Sequence, residues 1–254
     1  MAIASTDIVV YGAASIAEDD VSTQGGAIAT TVRYIFDSAS LVNTLADTVE
    51  ILSSSVSDTS QTVTITGRSV GGSIVSETLS LNGTSVVSGS TTFQRILKIV
   101  VSASHAGTIT VRKATGDTTI VAIETGVLTV RKPFYNVASD KSGGSARSFY
   151  EKIFIKNNHA TLSLLSAVVA EDADPTTQIG FDIESSVNGS NSIASRLNTV
   201  PSNMLGSFDS NSKNVPGTDL AAGSRIGVWL KLTLAAGDAP ILSTYTLSIS
   251  GSSI

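Results

Sequence analysis

Cysteine is absent from the 254 residues, aromatic side chains make up only 5% and charged ones 15%. The first absence excludes disulfides, thiolate metal sites and cysteine nucleophiles together, and it makes the fold indifferent to redox compartment. The net charge of −5 arises from 16 basic and 21 acidic residues, with no Lys/Arg run longer than the pairs Arg112-Lys113 and Arg131-Lys132. Nucleic-acid binding needs a concentrated basic face that displaces counterions, so that class is set aside. Membrane insertion goes with it, because no apolar run approaches the roughly 20 residues of a spanning helix. The opening "MAIASTDIVVYGAAS" lacks both a basic start and a long apolar stretch, and does not read as a secretory signal.

What is present is β grammar. The 41% hydrophobic share is carried by Val, Ile, Leu and Ala set among Ser, Thr and Gly, a mixture that packs on pleated sheets and turns tightly. In "TLSLNGTSVV", Leu79 and Leu81 fall on one face and Thr78 and Ser80 on the other, ahead of an Asn82-Gly83 hairpin turn. "QTVTITG", "TFQRILKIVVSA" and "GTITVRK" repeat the alternation, giving seven short strands between 48 and 133. Pro133 and the polar run "SDKSGGSARS" mark a break, after which "FYEKIFIKNNHATLSLLSAVVA", "QIGFDI", "RIGVWLKLTL" and "STYTLSIS" read as further strands, the last two as a hairpin. Residues from Ser185 to Gly223 read as long surface loops. The expectation is an all-β chain of two antiparallel β-sandwich domains, Ig-like or jelly-roll-like, over 48–133 and 134–254. Residues 1–47, the least regular part, are expected to form an extended N-terminal arm.

The residues that carry chemistry do not assemble into a catalytic pattern. The two histidines, His105 and His159, sit at expected turns with no G-x-S-x-G elbow, and two distant imidazoles without thiols do not make a zinc site. "EDADP" groups Glu171, Asp172 and Asp174, while "DSNSKN" imitates the first half of a calcium loop until Lys213 stands where a ligand is wanted. Neither catalytic residues nor a cofactor or metal are assigned; a weak surface calcium site is left open. Glu77 is a charge in an otherwise apolar row, read either as an edge-protecting charge or as a partner for Arg95.

The run "VTITGRSVGGSIVSETLSLNGTSVVSGSTTFQRILKIVVSASHAGTITV", with "YEKIFIKNNHATLSLL" and "AAGSRIGVWLKLTLAAGDAP", resembles segments of tailed-bacteriophage virion proteins. The resemblance implies a non-enzymatic capsid cement or decoration protein on the outer surface of the head. It would bind the major capsid protein and associate with itself, often as a trimer. A coat subunit fits less well, for want of a long spine helix. On this reading Tyr11, Tyr34 and Phe36 of the arm are the candidate partner contacts. The alternative is a carbohydrate-binding or adaptor module of a tail or fibre, with Trp229, opposite the apolar row of its strand, as the glycan contact.

Overall fold

A computed structural model describes the chain at residues 2–34, 46–134, 136–140, 142, 144–238 and 245–253. Those residues are all-β: strands and one short 3-10 turn, Ser5–Asp7, with no α-helix among them. They divide into two compact units, one inserted into the other. Met1–Ala29 and Asn136–Ile254 together form the discontinuous unit, and Thr30–Tyr135 form the inserted unit.

The discontinuous unit begins with β1 (Ile8–Ser15) and β2 (Gln24–Ala29). The chain then builds the inserted unit from β3 (Val32–Tyr34), β4 (Val49–Ser53), β5 (Thr62–Arg68), β6 (Ile74–Ser80), β7 (Val87–Ser88), β8 (Arg95–Val101), β9 (Ile109–Lys113), β10 (Thr119–Ile123) and β11 (Thr129–Arg131). It returns with β12 (Arg147–Asn157), β13 (Leu165–Ala173), β14 (Ile179–Ile183), β15 (Ser192–Ile193), β16 (Lys213–Asn214), β17 (Arg225–Leu234) and β18 (Thr246–Ser252).

In the inserted unit, one sheet has the order β3-β11-β8-β5-β6 and the other β10-β9-β4-β7. Period-2 patterning makes these strands: β5 buries Val63, Ile65 and Gly67 in alternation, and β4 buries Val49, Ile51 and Ser53. Buried residues of both sheets, among them Val49, Ile51, Ile65, Ile99, Val111 and Val130, belong to one hydrophobic cluster. Fully burying such a side chain contributes roughly 1.5–3 kcal/mol, so the facing rows hold the sheets together.

The Asn82-Gly83 turn does not close a hairpin. β6 lies in the five-stranded sheet and β7 in the four-stranded one, so the turn passes the chain between sheets. Gly83 sits at φ +59°, its N–H donates to the Asp58 carbonyl at 2.8 Å, and an added Cβ would stand 2.9 Å from the Val56 carbonyl oxygen. The backbone packed beneath the turn, rather than the turn residues alone, decides where the chain goes.

In the discontinuous unit, six strands run in the order β14-β17-β12-β1-β2-β15, and a smaller sheet runs β16-β13-β18. Here the structure departs from the expected N-terminal arm. Ile8 to Gly12 pair with Asn157 to Ile153 of β12, and β2 pairs with β1 and β15, so β1 and β2 are interior strands of the larger sheet. Their weak patterning has a physical cause: Tyr11, Gly12 and Ala13 are buried in succession because the strand is covered on both faces. Residues 35–45 lie outside the described residues. The expected pairing of β17 with β18 is also absent: β17 joins the six-stranded sheet and β18 pairs with β13. Without a two-residue turn to enforce a hairpin, long-range pairing wins, and β12 and β17 align without interruption from Arg147↔Leu234 to Lys156↔Arg225.

Two glycines separate the effects at work in the turns. Gly83→Ala adds a clash to the left-handed backbone penalty, whereas Gly72, at φ +84°, has nothing within 4 Å of an added Cβ. Gly72→Ala is expected to cost about 1–2 kcal/mol, and Gly83→Ala measurably more, as read from urea unfolding midpoints.

Candidate functional site

The residues singled out by sequence lie inside the protein. Tyr11 is 7% exposed, packs with Ala13 and Phe154, and its hydroxyl accepts a hydrogen bond from Asn158 Nδ2 at 2.7 Å. Tyr34, also 7% exposed, pairs across strands with Arg131, whose guanidinium carbon lies 5.9 Å from its ring centroid. Both aromatics fill the interior of their units, which corrects their reading as outward partner contacts. Phe36 lies outside the described residues.

Trp229 is 0% exposed, so its indole cannot stack on a sugar. It does face away from the apolar row of β17, but Ile193, Met204 and Phe208 cover that face together with Tyr150. Part of the Ser/Asn/Gly-rich stretch expected to be surface loop is thus a lid on the sheet. Tyr150 and Phe208 meet edge to face with ring centroids 5.3 Å apart. Gly25, at φ +103°, lets the backbone lie against the indole, where an added Cβ would come within 2.8 Å of the ring.

Beneath this lid lies a polar centre that the sequence reading missed. Lys152 of β12, opposite Trp229 in the sheet, and Glu184, just after β14, are both 0% exposed and form an ion pair of 2.6 Å. The Lys152 ammonium has three N–H donors, and three acceptors surround it: Glu184 Oε1, Gly26 O at 3.0 Å and Asn191 O at 3.1 Å. The Phe154 ring centroid lies 4.4 Å from the nitrogen and that of Trp229 5.7 Å. Glu184 Oε1 also accepts from Asn191 N at 3.2 Å and Trp229 Nε1 at 3.5 Å. Gly227 makes room for the pair, since an added Cβ would stand 2.5 Å from Glu184 Oε2. Burial pushes the Lys152 ammonium below its usual value, and Glu184 opposes that shift. With both charges enclosed, the pair ties β12, the β2 bulge and the lid loop together. The available signal was Lys152 standing in the row of Tyr150 and Phe154, as anomalous as Glu77 in its own row.

The inserted unit uses its polar residues in the same way. Asp58, buried, accepts from Ser53 Oγ at 2.6 Å, Ala106 N at 2.8 Å and Gly107 N at 2.9 Å. Burial alone would raise its carboxyl; these hydrogen bonds and nearby His105 outweigh burial and hold it below the usual range. His105 is buried rather than on a surface turn, its ring nitrogens 2.6 Å from Gly107 O and 2.9 Å from Val127 O. Nδ1 of His159 accepts from Thr161 N and Leu162 N and shapes a turn.

Glu77 closes on the 90–91 backbone, accepting from Ser90 N at 2.7 Å and Thr91 N at 3.2 Å, rather than reaching for Arg95. Burial raises its carboxyl and these donors more than reverse the shift. Arg95 instead faces Arg68 across the strands, and burial followed by that neighbour lowers its affinity for a proton. In the "DSNSKN" segment, Lys213 Nζ lies 2.7 Å from Asp209 Oδ1, so an ammonium occupies the carboxylate that a calcium ion would use. Asp174 accepts from Thr176 N, Thr176 Oγ1 and Ile179 N, which spends its oxygens on a turn.

Lys152→Met leaves a buried carboxylate without its counter-ion and is expected to cost about 3–5 kcal/mol in urea unfolding. Lys152→Met with Glu184→Leu should recover part of that loss but not all, because Gly26 O and Asn191 O each lose the ammonium's hydrogen bond, and Asn191 O keeps only that from Gly26 N. Asp58→Asn is expected to cost about 1.5–3 kcal/mol at neutral pH. A carboxyl depressed in the folded state stabilises above its unfolded value near 3.9 and ceases to do so as pH falls through its folded value. The stability gap between the parent and Asp58→Asn should therefore be full at pH 6–7 and close below about pH 4. Compared with family models, with curated proteins and with solved structures, the chain matches none.

Proposed function

We propose that the chain is a non-enzymatic structural protein of a tailed-bacteriophage virion, a capsid cement or decoration protein on the outer face of the head. Each unit would be a β-sandwich, and the partners would be the major capsid protein and further copies of the chain, assembled as a trimer. Two lines support the reading. The "SETLSLNGT" and "AAGSRIGVWLKLTLAAGDAP" segments resemble such proteins. The observation that carries it is the use made of ionisable side chains: Lys152, Glu184, Asp58 and Glu77 all brace backbone, three of them from buried positions. What faces outward is rows of hydroxyls, tight turns and singly placed apolar residues such as Val21, Val56 and Val200. Such a surface suits many modest contacts repeated by symmetry, where tethering at one contact raises the effective concentration at the next.

The glycan-binding alternative rested on Trp229, and an indole enclosed by Ile193 and Tyr150 cannot supply its stacking platform. Mass spectrometry of density-purified particles, followed by imaging at subunit resolution, tests the proposal. The chain is expected on the outer head surface in constant ratio to the major capsid protein. Its absence from purified particles, or its confinement to the tail, would overturn the reading.

A further inference from the structure

We propose that the open edge of β6 is a self-association surface, at which a second copy of the chain adds its own β6 antiparallel about a two-fold axis at Thr78. Among the described residues β6 is the last strand of the five-stranded sheet and pairs with β5 alone. Its register runs from Thr62↔Ser80 to Arg68↔Ile74 with no bulge, so the edge stays straight for all seven residues. The hydrogen-bond phase follows from the flanking bonds, Ser69 N to Ser73 O and Leu81 N to Gln61 O. With residues 73 and 81 bonded inward, the odd-numbered residues direct their N–H and C=O toward β5. Ser76, Thr78 and Ser80 direct theirs away from the sheet. All three are exposed.

Edge strands normally carry a device against pairing: a lysine, a proline, a bulge or an inward charge. β6 reads IVSETLS and has no lysine, arginine or proline. Its one charge, Glu77, is engaged by Ser90 and Thr91. The occupant is set by self-complementarity. A two-fold axis at Thr78 pairs Thr78 with its own copy and Ser76 with Ser80 of the second copy. This extends hydroxyl pairs already present within the chain, Thr64 with Thr78 at 2.9 Å and Thr66 with Ser76 at 3.3 Å. On the opposite row, Glu77 then faces Leu79 of the second copy and Val75 faces Leu81. An axis at Glu77 would set two carboxylates directly opposite each other, which like charge disfavours. The two five-stranded sheets thereby become one continuous sheet.

The cysteine-free sequence makes the test direct, since a single introduced thiol can bridge only to another molecule. Cα atoms of a hydrogen-bonded antiparallel pair lie about 5.5 Å apart, within disulfide reach. Thr78→Cys is expected to give covalent dimer on mild oxidation. Ser76→Cys alone should give no covalent dimer, its two copies being four residues, about 14 Å, out of step. Mixing Ser76→Cys with Ser80→Cys should restore the cross-link. Thr78→Pro removes an outward N–H along with the exposed hydroxyl that meets Thr64 and, with an unchanged circular dichroism spectrum, should weaken self-association in sedimentation equilibrium by more than about 10-fold relative to Thr78→Val, which loses the hydroxyl alone. Absence of covalent dimer from Thr78→Cys after oxidation, equal cross-linking of Ser76→Cys and Thr78→Cys, or unaltered association of Thr78→Pro would each overturn the proposal.

Discussion

The pairing of β1 with β12 is the constraint on which the rest of the chain's arrangement depends. Val9 faces Lys156 and Tyr11 faces Phe154, contacts between residues more than a hundred positions apart. Because β1 occupies an inner place in the six-stranded sheet, its main-chain groups have strand partners on both sides, and β12 is covered well enough that residues 149–155 are all buried. Everything from Thr30 to Tyr135 must then be accommodated as an insertion. The inserted unit meets that demand through β3 and β11, its first and last strands, which run parallel and side by side from Val32↔Thr129 to Tyr34↔Arg131. Loop closure of this size is entropically costly, and the chain offsets it with paired strands rather than with covalent staples.

The second organising feature is the treatment of buried charge. A buried ion pair adds little net stability compared with a well-packed apolar substitute, but breaking one is severe. The Lys152–Glu184 pair therefore acts chiefly as a condition on geometry: Gly26, Asn191 and Trp229 must be placed where their polar groups meet the ammonium and Glu184 Oε1. Asp58 imposes a similar condition on the 53–58 and 105–107 backbone, and Glu77 on Ser90 and Thr91. Loops rich in Ser, Asn and Gly have little apolar surface with which to choose a conformation. Polar anchors supply the choice, which accounts for interior charges in a chain that carries so few charges overall.

The proposed virion role and the open β6 edge rest on separate grounds. The former draws on resemblance and on the absorption of ionisable groups into bracing. The latter follows from hydrogen-bond phase along a single strand. They meet in one physical point: a protein whose surface offers hydroxyls and main-chain groups gains affinity through repetition rather than through a deep pocket.

Read alone, the residue order determined the secondary-structure class and the alternation within strands such as β5, β14 and β17. Side-chain period is a local property, and Val63, Ile65, Phe181 and Ile183 are buried as their spacing requires. Tertiary structure alone decided which strands meet. The N-terminal residues became interior strands, β17 and β18 parted into different sheets, and Asn82-Gly83 became a passage between sheets. Pairing of this kind depends on burial and hydrogen-bond satisfaction summed over distant segments, and no local window contains both partners. The same reason hid the polar centre: Lys152 was legible as a misfit in its row, but Glu184, Gly26 and Asn191 become its partners only once the lid has folded over the sheet. It also turned Tyr11, Tyr34 and Trp229 inward, since the exposure of an aromatic is settled by what the remainder of the chain lays across it.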